Sequence, residues 1–269
     1  MTQSRSLPSL SLRDVSFSSL CVTDDPFAWA HRLEDIGFGG WEVVQEGKQV
    51  VDDRNIGKMR EVCHTTDLAI TIHLPFSDLN LASMNQPIWE EVMRQHKSCI
   101  RIASEFADLM VVHPGYLSPI GAQMPDLAWQ QNITGLQQLC DFASDFGVKI
   151  AVENMPRMEL VFGREPGEMA GMIELADREN LGMTLDLGHA HTTGTLSEFL
   201  LMKEVVHVHV HDNKGRRDEH LPIGAGTIAW DPVISELRKR HRGCRFVIEA
   251  RSLAEGSESL ERLREMGWR

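Results

Sequence analysis

The chain has 269 residues, 42% of them hydrophobic, enough for one large α/β barrel or two small domains around a sizeable core. Its 27 Lys+Arg against 39 Asp+Glu leave a formal charge of -12, so nucleic acid or an anionic membrane could be bound only through a local basic patch. Five widely spaced cysteines without a CxxC pair argue against a disulfide framework and a Cys-type zinc site, and they suit a reducing cytoplasm.

The N-terminal MTQSRSLPSLSLRD carries no continuous apolar run, so no secretion signal is expected. No stretch is apolar enough to span a bilayer. Short β-branched runs then alternate with helical patterns to the end of the chain. The predicted strands are Val15–Ser19, Gly40–Val44, Leu68–Leu74, Leu109–His113, Val148–Glu153, Leu181–Leu187, Val205–His211 and Cys244–Glu249. Helical spacing occupies Pro87–Phe106 and Leu127–Phe146, among others. Pro87 and Pro166 suit first helical turns, and Gly37, Gly147 and Gly243 suit helix C-caps. Eight β-then-α units without a composition break predict one α/β domain over residues 1–269, a single (β/α)₈ TIM barrel. An open doubly wound sheet alternates in the same way, but no glycine-rich phosphate turn follows the first strand. The segment 212–230 is the longest candidate loop.

The chemistry gathers at strand ends. His73 closes the third strand (ITIHLP), His113 the fourth (LMVVHPG) and Glu153 the fifth (IAVEN). Asp186 closes the sixth, with His189 three residues on (MTLDLGH); His209 and His211 close the seventh (VHVHVHD), and Glu249 the eighth (FVIEAR). A barrel brings these ends to one rim, where active sites of this fold lie. A lone His or Glu at a strand end is usually a hydrogen-bonded polar residue. Six consecutive strands ending alike is another matter, because packed ionisable groups need a compensating charge, and a cation is the simplest. Imidazole plus carboxylate suits Zn, Mn, Fe or Co.

In the seventh strand, alternation puts His207, His209 and His211 on one side, facing inward, with His207 read as a hydrogen-bonded core histidine. The following loop holds a D-x-H pair, Asp218 and His220, and the basic cluster Lys214, Arg216 and Arg217. His31, His64, His96, His191 and His241 read as structural or exposed, and the cysteines carry no assigned role.

From IHLPFSDLN to FVIEAR these residues resemble the xylose isomerase-like TIM barrels, a family that includes sugar isomerases and epimerases and also endonuclease IV. The resemblance implies a four-residue metal core at Glu153, Asp186, His209 and Glu249. The endonuclease IV pattern would add His73 and His113, joined by Glu153, around a second ion, and His189, Asp218 and His220 around a third. The implied cofactor is a divalent metal (Zn, Mn, Co or Mg), one to three ions per chain. The wording HVHVHDNKGRRDEHLPIGAGTIAW is similar to members described as sugar phosphate isomerase/epimerase.

Two enzyme readings follow. In the favoured one, a small sugar or sugar phosphate is the partner, and Glu153 and Glu249 exchange a proton beside a metal-polarised carbonyl. His189 and His211 would orient hydroxyls, and Arg217 would hold a phosphate or distal hydroxyl. The alternative is a multi-zinc phosphoesterase of the endonuclease IV type. The acidic charge and the absence of a basic, aromatic-bearing loop that could accept a flipped nucleotide argue against nucleic acid. A non-enzymatic metal-binding barrel is a third reading, and nothing in the cluster is disabled to support it. Oligomer formation is left open.

Overall fold

The computed structural model describes residues 10–269. Eight parallel strands close on themselves in chain order: β1 (Val15–Ser19), β2 (Gly40–Val44), β3 (Ala69–His73), β4 (Leu109–Val112), β5 (Lys149–Glu153), β6 (Leu181–Asp186), β7 (Val205–Val210) and β8 (Arg245–Ala250). β8 pairs back onto β1, so the sheet has no edge and the open doubly wound alternative is excluded. Strand bounds differ from the expected ones by one residue at most. The N-terminal stretch read for a secretion signal lies partly in residues 1–9, outside the described residues.

The crossovers are α1 (Arg32–Ile36), α2 (Ile56–Thr65), α3 (Gln86–Ala103), α4 (Pro125–Ser144), α5 (Pro166–Ala176), α6 (Leu187–Thr193), α7 (Leu196–Phe199), α8 (Trp230–Arg240) and α9 (Leu253–Glu265). Pro87 and Pro166 sit in first turns, as expected. Gly37 caps α1 in the left-handed region, where a side chain would be strained. The cap expected at Gly243 is not there: α8 ends at Arg240 and its cap is His241, whose N–H donates to Leu237 O and whose ring lies 2.9 Å from Leu200 O. α3 and α4 also stop two or three residues before the expected ends, in turns closed by Phe106 N to Ala103 O and Val148 N to Ala143 O.

Alternation along the strands separates two environments. Outward side chains such as Phe17 and Trp41 pack against Trp29, Phe38 and Phe27 in the layer between sheet and helices. The inward set is polar. Glu42 on β2 meets His207 on β7 at 2.7 Å, a contact possible only across the barrel interior because the two strands are not neighbours. Thr71 stands beside Glu42 in register, and Asp186 beside His209. Barrel interiors are usually filled with branched aliphatic residues, so this column of buried polar groups under the mouth needs a chemical explanation.

Candidate metal centre

The strand ends converge as the barrel closes. Around His209 Nδ1 lie Glu153 Oε1 at 3.3 Å, Glu249 Oε1 at 3.5 Å and Asp186 Oδ2 at 3.9 Å. All four residues are buried. On one flank, His73 Nε2 and His113 Nε2 lie 3.3 and 3.4 Å from the second oxygen of Glu153. On the other flank, Asp218 Oδ2 lies 3.2 Å from His189 Nε2 and 2.8 Å from His220 Nε2. Glu153, Asp186 and His209, the His73–His113–Glu153 flank and the His189–Asp218–His220 flank each offer ligand atoms within 4.8 Å of one another, close enough to hold an ion, and Glu249 does so with Asp186 and His211. His211 joins the second flank: its ring stacks on His220 at 3.8 Å, and Nε2 lies 3.1 Å from the Asp186 carboxylate.

The donor set fits a divalent cation on two further observations. Metal-ligating histidines anchor the ring nitrogen that faces away from the ion. Here His73 Nδ1 lies 2.9 Å from Leu74 O, His189 Nδ1 lies 2.8 Å from Asn154 O, and His209 Nε2 lies 3.0 Å from Glu42 Oε1. In His73 and His209 the other nitrogen faces the core carboxylates; in His189, Nε2 faces Asp218, while Nδ1 also lies 3.3 Å from Glu153 Oε1. Moreover, both ring nitrogens of His209 are buried without a well-directed hydrogen bond, although three carboxylates surround Nδ1 and Glu42 lies against Nε2. Orphaned buried ring nitrogens of this kind are costly unless a cation or proton satisfies them.

The electrostatics agree. Burial works against the charge on Glu153, yet His209 and His113 hold its carboxyl well below the usual carboxylate range. Burial pushes Glu249 the other way, above its usual value, despite His209 and His220 beside it. His209 is raised well above an ordinary imidazole against its burial, by Glu249, Glu42 and Glu153. His211 is likewise raised, from 6.5 to about 9, by Asp186 and Asp218 against its burial. Protons on these rings supply the charge that a bound cation would otherwise supply.

A pH dependence follows for protein stripped of cations. A group raised in the folded state contributes stability fully below its unfolded value and loses it as pH rises through the folded value. The window for His211 runs from about 6.5 to about 9. Urea unfolding should therefore show stability falling by on the order of 3 kcal/mol across that window from His211 alone. Added Mn²⁺ or Zn²⁺ should abolish the fall, and a flat profile without cation would contradict the assignment.

The loop that carries Asp218 and His220 is built on Asp212, a residue the sequence reading did not single out. Its buried carboxylate accepts from Asn213 N, Gly224 N, Ile228 N and Trp230 Nε1 at 2.8–3.2 Å, tying both ends of the segment together. Gly188 in the DLGH motif is required for space: a Cβ there would come 2.0 Å from His211 Cε1. Glu42 was also missed; no strand-end rule reaches a residue in the middle of GWEVV. His207 is a fully buried core histidine bonded to Glu42, as expected.

A cavity of about 330 Å³ opens above the core, walled by Glu153, Glu249, His73, His113, His189, Asp218 and His220 on one side and by Leu20, Val22, Val44 and Phe76 on the other. Phe76 stacks on His113, and Glu46 accepts from Phe76 N and Ser77 N, fixing that wall. His211 and Arg217 are not in the wall: the first is buried behind Asp186, and the second is exposed on the outer loop. Among the described residues, no helix is long and apolar enough to cross a membrane.

Comparison with known proteins gives the same fold and family. A solved structure described as a D-tagatose 3-epimerase-like protein shares 32% identity at a TM-score of 0.88, over 93% of this chain and 96% of its own. An uncharacterized Methanocaldococcus jannaschii protein, MJ1311, is 35% identical over 244 residues, 87% of this chain and 82% of that protein. A probable endonuclease 4 of Acholeplasma laidlawii is 28% identical over 155 residues, 51% of this chain and 52% of its own. Residues 30–266 match the family model for the xylose isomerase-like TIM barrel, and with the closed barrel this establishes that the chain belongs to that family.

Proposed function

We propose that the protein is a metal-dependent isomerase or epimerase of a small sugar or sugar phosphate. One observation carries the reading: Glu153 and Glu249 flank His209 Nδ1 at 3.3 and 3.5 Å and both open onto the same small cavity. Its size lies within the roughly 300–1,000 Å³ typical of small-molecule sites. The likeness to a D-tagatose 3-epimerase-like protein supports the substrate class.

A cation held by Glu153, Asp186, His209 and Glu249 would supply Lewis-acid polarisation of a carbonyl oxygen and so acidify the neighbouring C–H. Glu153, held in its charged form by His209 and His113, suits removal of that proton. Glu249, raised by burial, suits delivery of a proton from the other side. His189 lines the cavity and can hold a substrate hydroxyl. His211 orients Asp186 from behind, and Arg217 can reach only a group projecting out of the mouth.

The test is proton exchange. Cation-loaded protein incubated with a panel of free and phosphorylated ketoses in D₂O should place one solvent deuterium in a product stereoisomer, read by mass spectrometry. A second reading, a multi-cation phosphoesterase, is favoured by the three abutting ligand groups and by the Acholeplasma relative. The -12 charge predicts weak binding of short duplex DNA even at low salt. No deuterium uptake with any sugar, together with incision of duplex DNA carrying an abasic site, would replace the first reading by the second.

A further inference from the structure

We propose that Glu42 is the positioning residue of the core, its carboxylate fixing the His209 ring so that Nδ1 is presented to Glu153, Asp186 and Glu249. The inference rests on the reading that these four residues hold a divalent cation. Glu42 is fully buried in β2 and faces β7 across the barrel. Its two oxygens face separate rings: Oε2 is hydrogen-bonded, whereas Oε1 approaches His209 as a close charge contact without a well-directed hydrogen bond. Oε1 lies 3.0 Å from His209 Nε2. Oε2 lies 2.7 Å from His207 Nε2 and accepts from Thr71 Oγ1 at 3.0 Å. His207 and Thr71 thus hold the carboxylate from below and beside it, and it cannot swing away from His209.

An ionised carboxylate only accepts, so the Nε2 facing it is the nitrogen that carries the proton. In the neutral ring that binds a cation the lone pair is then on Nδ1, which lies among three carboxylates and without a hydrogen-bond partner. That arrangement is unfavourable in itself and becomes favourable with a cation between the groups. An amide at position 42 could offer an N–H to Nε2 instead. The ring could then carry its proton on Nδ1, where the cation has to sit. His73 and His189 are anchored on the backbone carbonyls of Leu74 and Asn154. Behind His209 stands a carboxylate that belongs to neither the core nor the flanks, which makes the imidazole a stronger donor to the ion.

The experiment compares Glu42→Gln with the unsubstituted protein, each stripped by a chelator and titrated with Mn²⁺ by calorimetry. Circular dichroism and the thermal midpoint report the fold. The expected result is a folded variant whose tightest-bound Mn²⁺ is weakened roughly 10–100-fold, the usual effect of losing a partner behind a metal ligand. If Gln in a buried ion pair prevents folding, Glu42→Met with His207→Phe replaces the whole pair by apolar volume, a replacement that is often neutral or stabilising for buried ion pairs, and the same weakening is expected. Unchanged affinity in either folded variant overturns the role of Glu42 while leaving the cation reading intact. Failure of the unsubstituted protein to bind Mn²⁺ at all would instead sink the cation reading and this inference with it.

Discussion

Glu153→Gln is expected to lower kcat on the substrate identified by deuterium exchange roughly 10³–10⁴-fold with the barrel still folded. The change is isosteric, yet it removes two functions at once. Glu153 contributes one oxygen to the His73 and His113 side and the other to the His209 side, so it joins two of the ligand groups. An amide keeps that shape but carries no charge to balance the four surrounding imidazoles and cannot accept a proton from carbon. KM should change less than kcat, because a proton acceptor acts on the transition state more than on the bound substrate. Glu249→Gln should behave similarly from the opposite side of His209. Steady-state rates beside circular dichroism decide the matter. Turnover within tenfold of the unsubstituted enzyme would remove Glu153 from the reaction.

The strands were legible because a buried parallel strand is a short β-branched run, and eight of these occur at regular intervals. The convergence of the candidate ligands was legible because a closed barrel turns "end of strand" into "same rim", whatever the sequence separation. HVHVH adds its own phase: with valines toward the helices, the histidines must face inward. Glu42 had neither signal. It lies mid-strand between Trp41 and Val43, and only the packing of Trp41 against Phe27 and Trp29 fixes which way the strand's phase runs. Asp212 was hidden for a different reason. Its partners at 224, 228 and 230 come together only when the loop folds back, and nothing in linear spacing marks that return. The division of the crossover after β6 into α6 and α7 depends likewise on Gly194 taking a left-handed backbone.

The acidic composition also reads differently once the site is formed. Glu42, Glu153, Asp186 and Asp218 are held charged against burial by neighbouring imidazoles. Glu42, Glu153 and Asp186 face the histidines, not solvent, and so add little to the repulsive field outside, whereas Asp218 stays partly open at the mouth. The formal charge counts them all the same. What it leaves for the surface is smaller than -12 suggests, and the interior share of the acidity is what a cation would neutralise.

The double change Asp218→Ala with His220→Ala separates the two enzyme readings most sharply. Both residues line the cavity on the loop held by Asp212, outside the four core residues. In the folded chain their bonding is already complete on one side: Asp218 Oδ2 takes both His189 Nε2 and His220 Nε2. His209 Nδ1 has no hydrogen-bond partner, and on the flank neither do His211 Nδ1 and His220 Nδ1. What sets the flank apart is the Asp218 carboxylate that its two rings already share. On the sugar reading, the double variant keeps the core ion at unchanged affinity, and KM rises roughly tenfold as substrate hydroxyls lose polar partners. On the phosphoesterase reading, His189 is left as the remaining flank ligand with His211 turned toward Asp186, too few for a stable site. Elemental analysis would then show one ion fewer per chain, and kcat would collapse with the lost charge stabilisation. We expect the retained core ion and the raised KM. One ion lost per chain, with kcat falling and KM unchanged, would transfer the protein to the phosphoesterases.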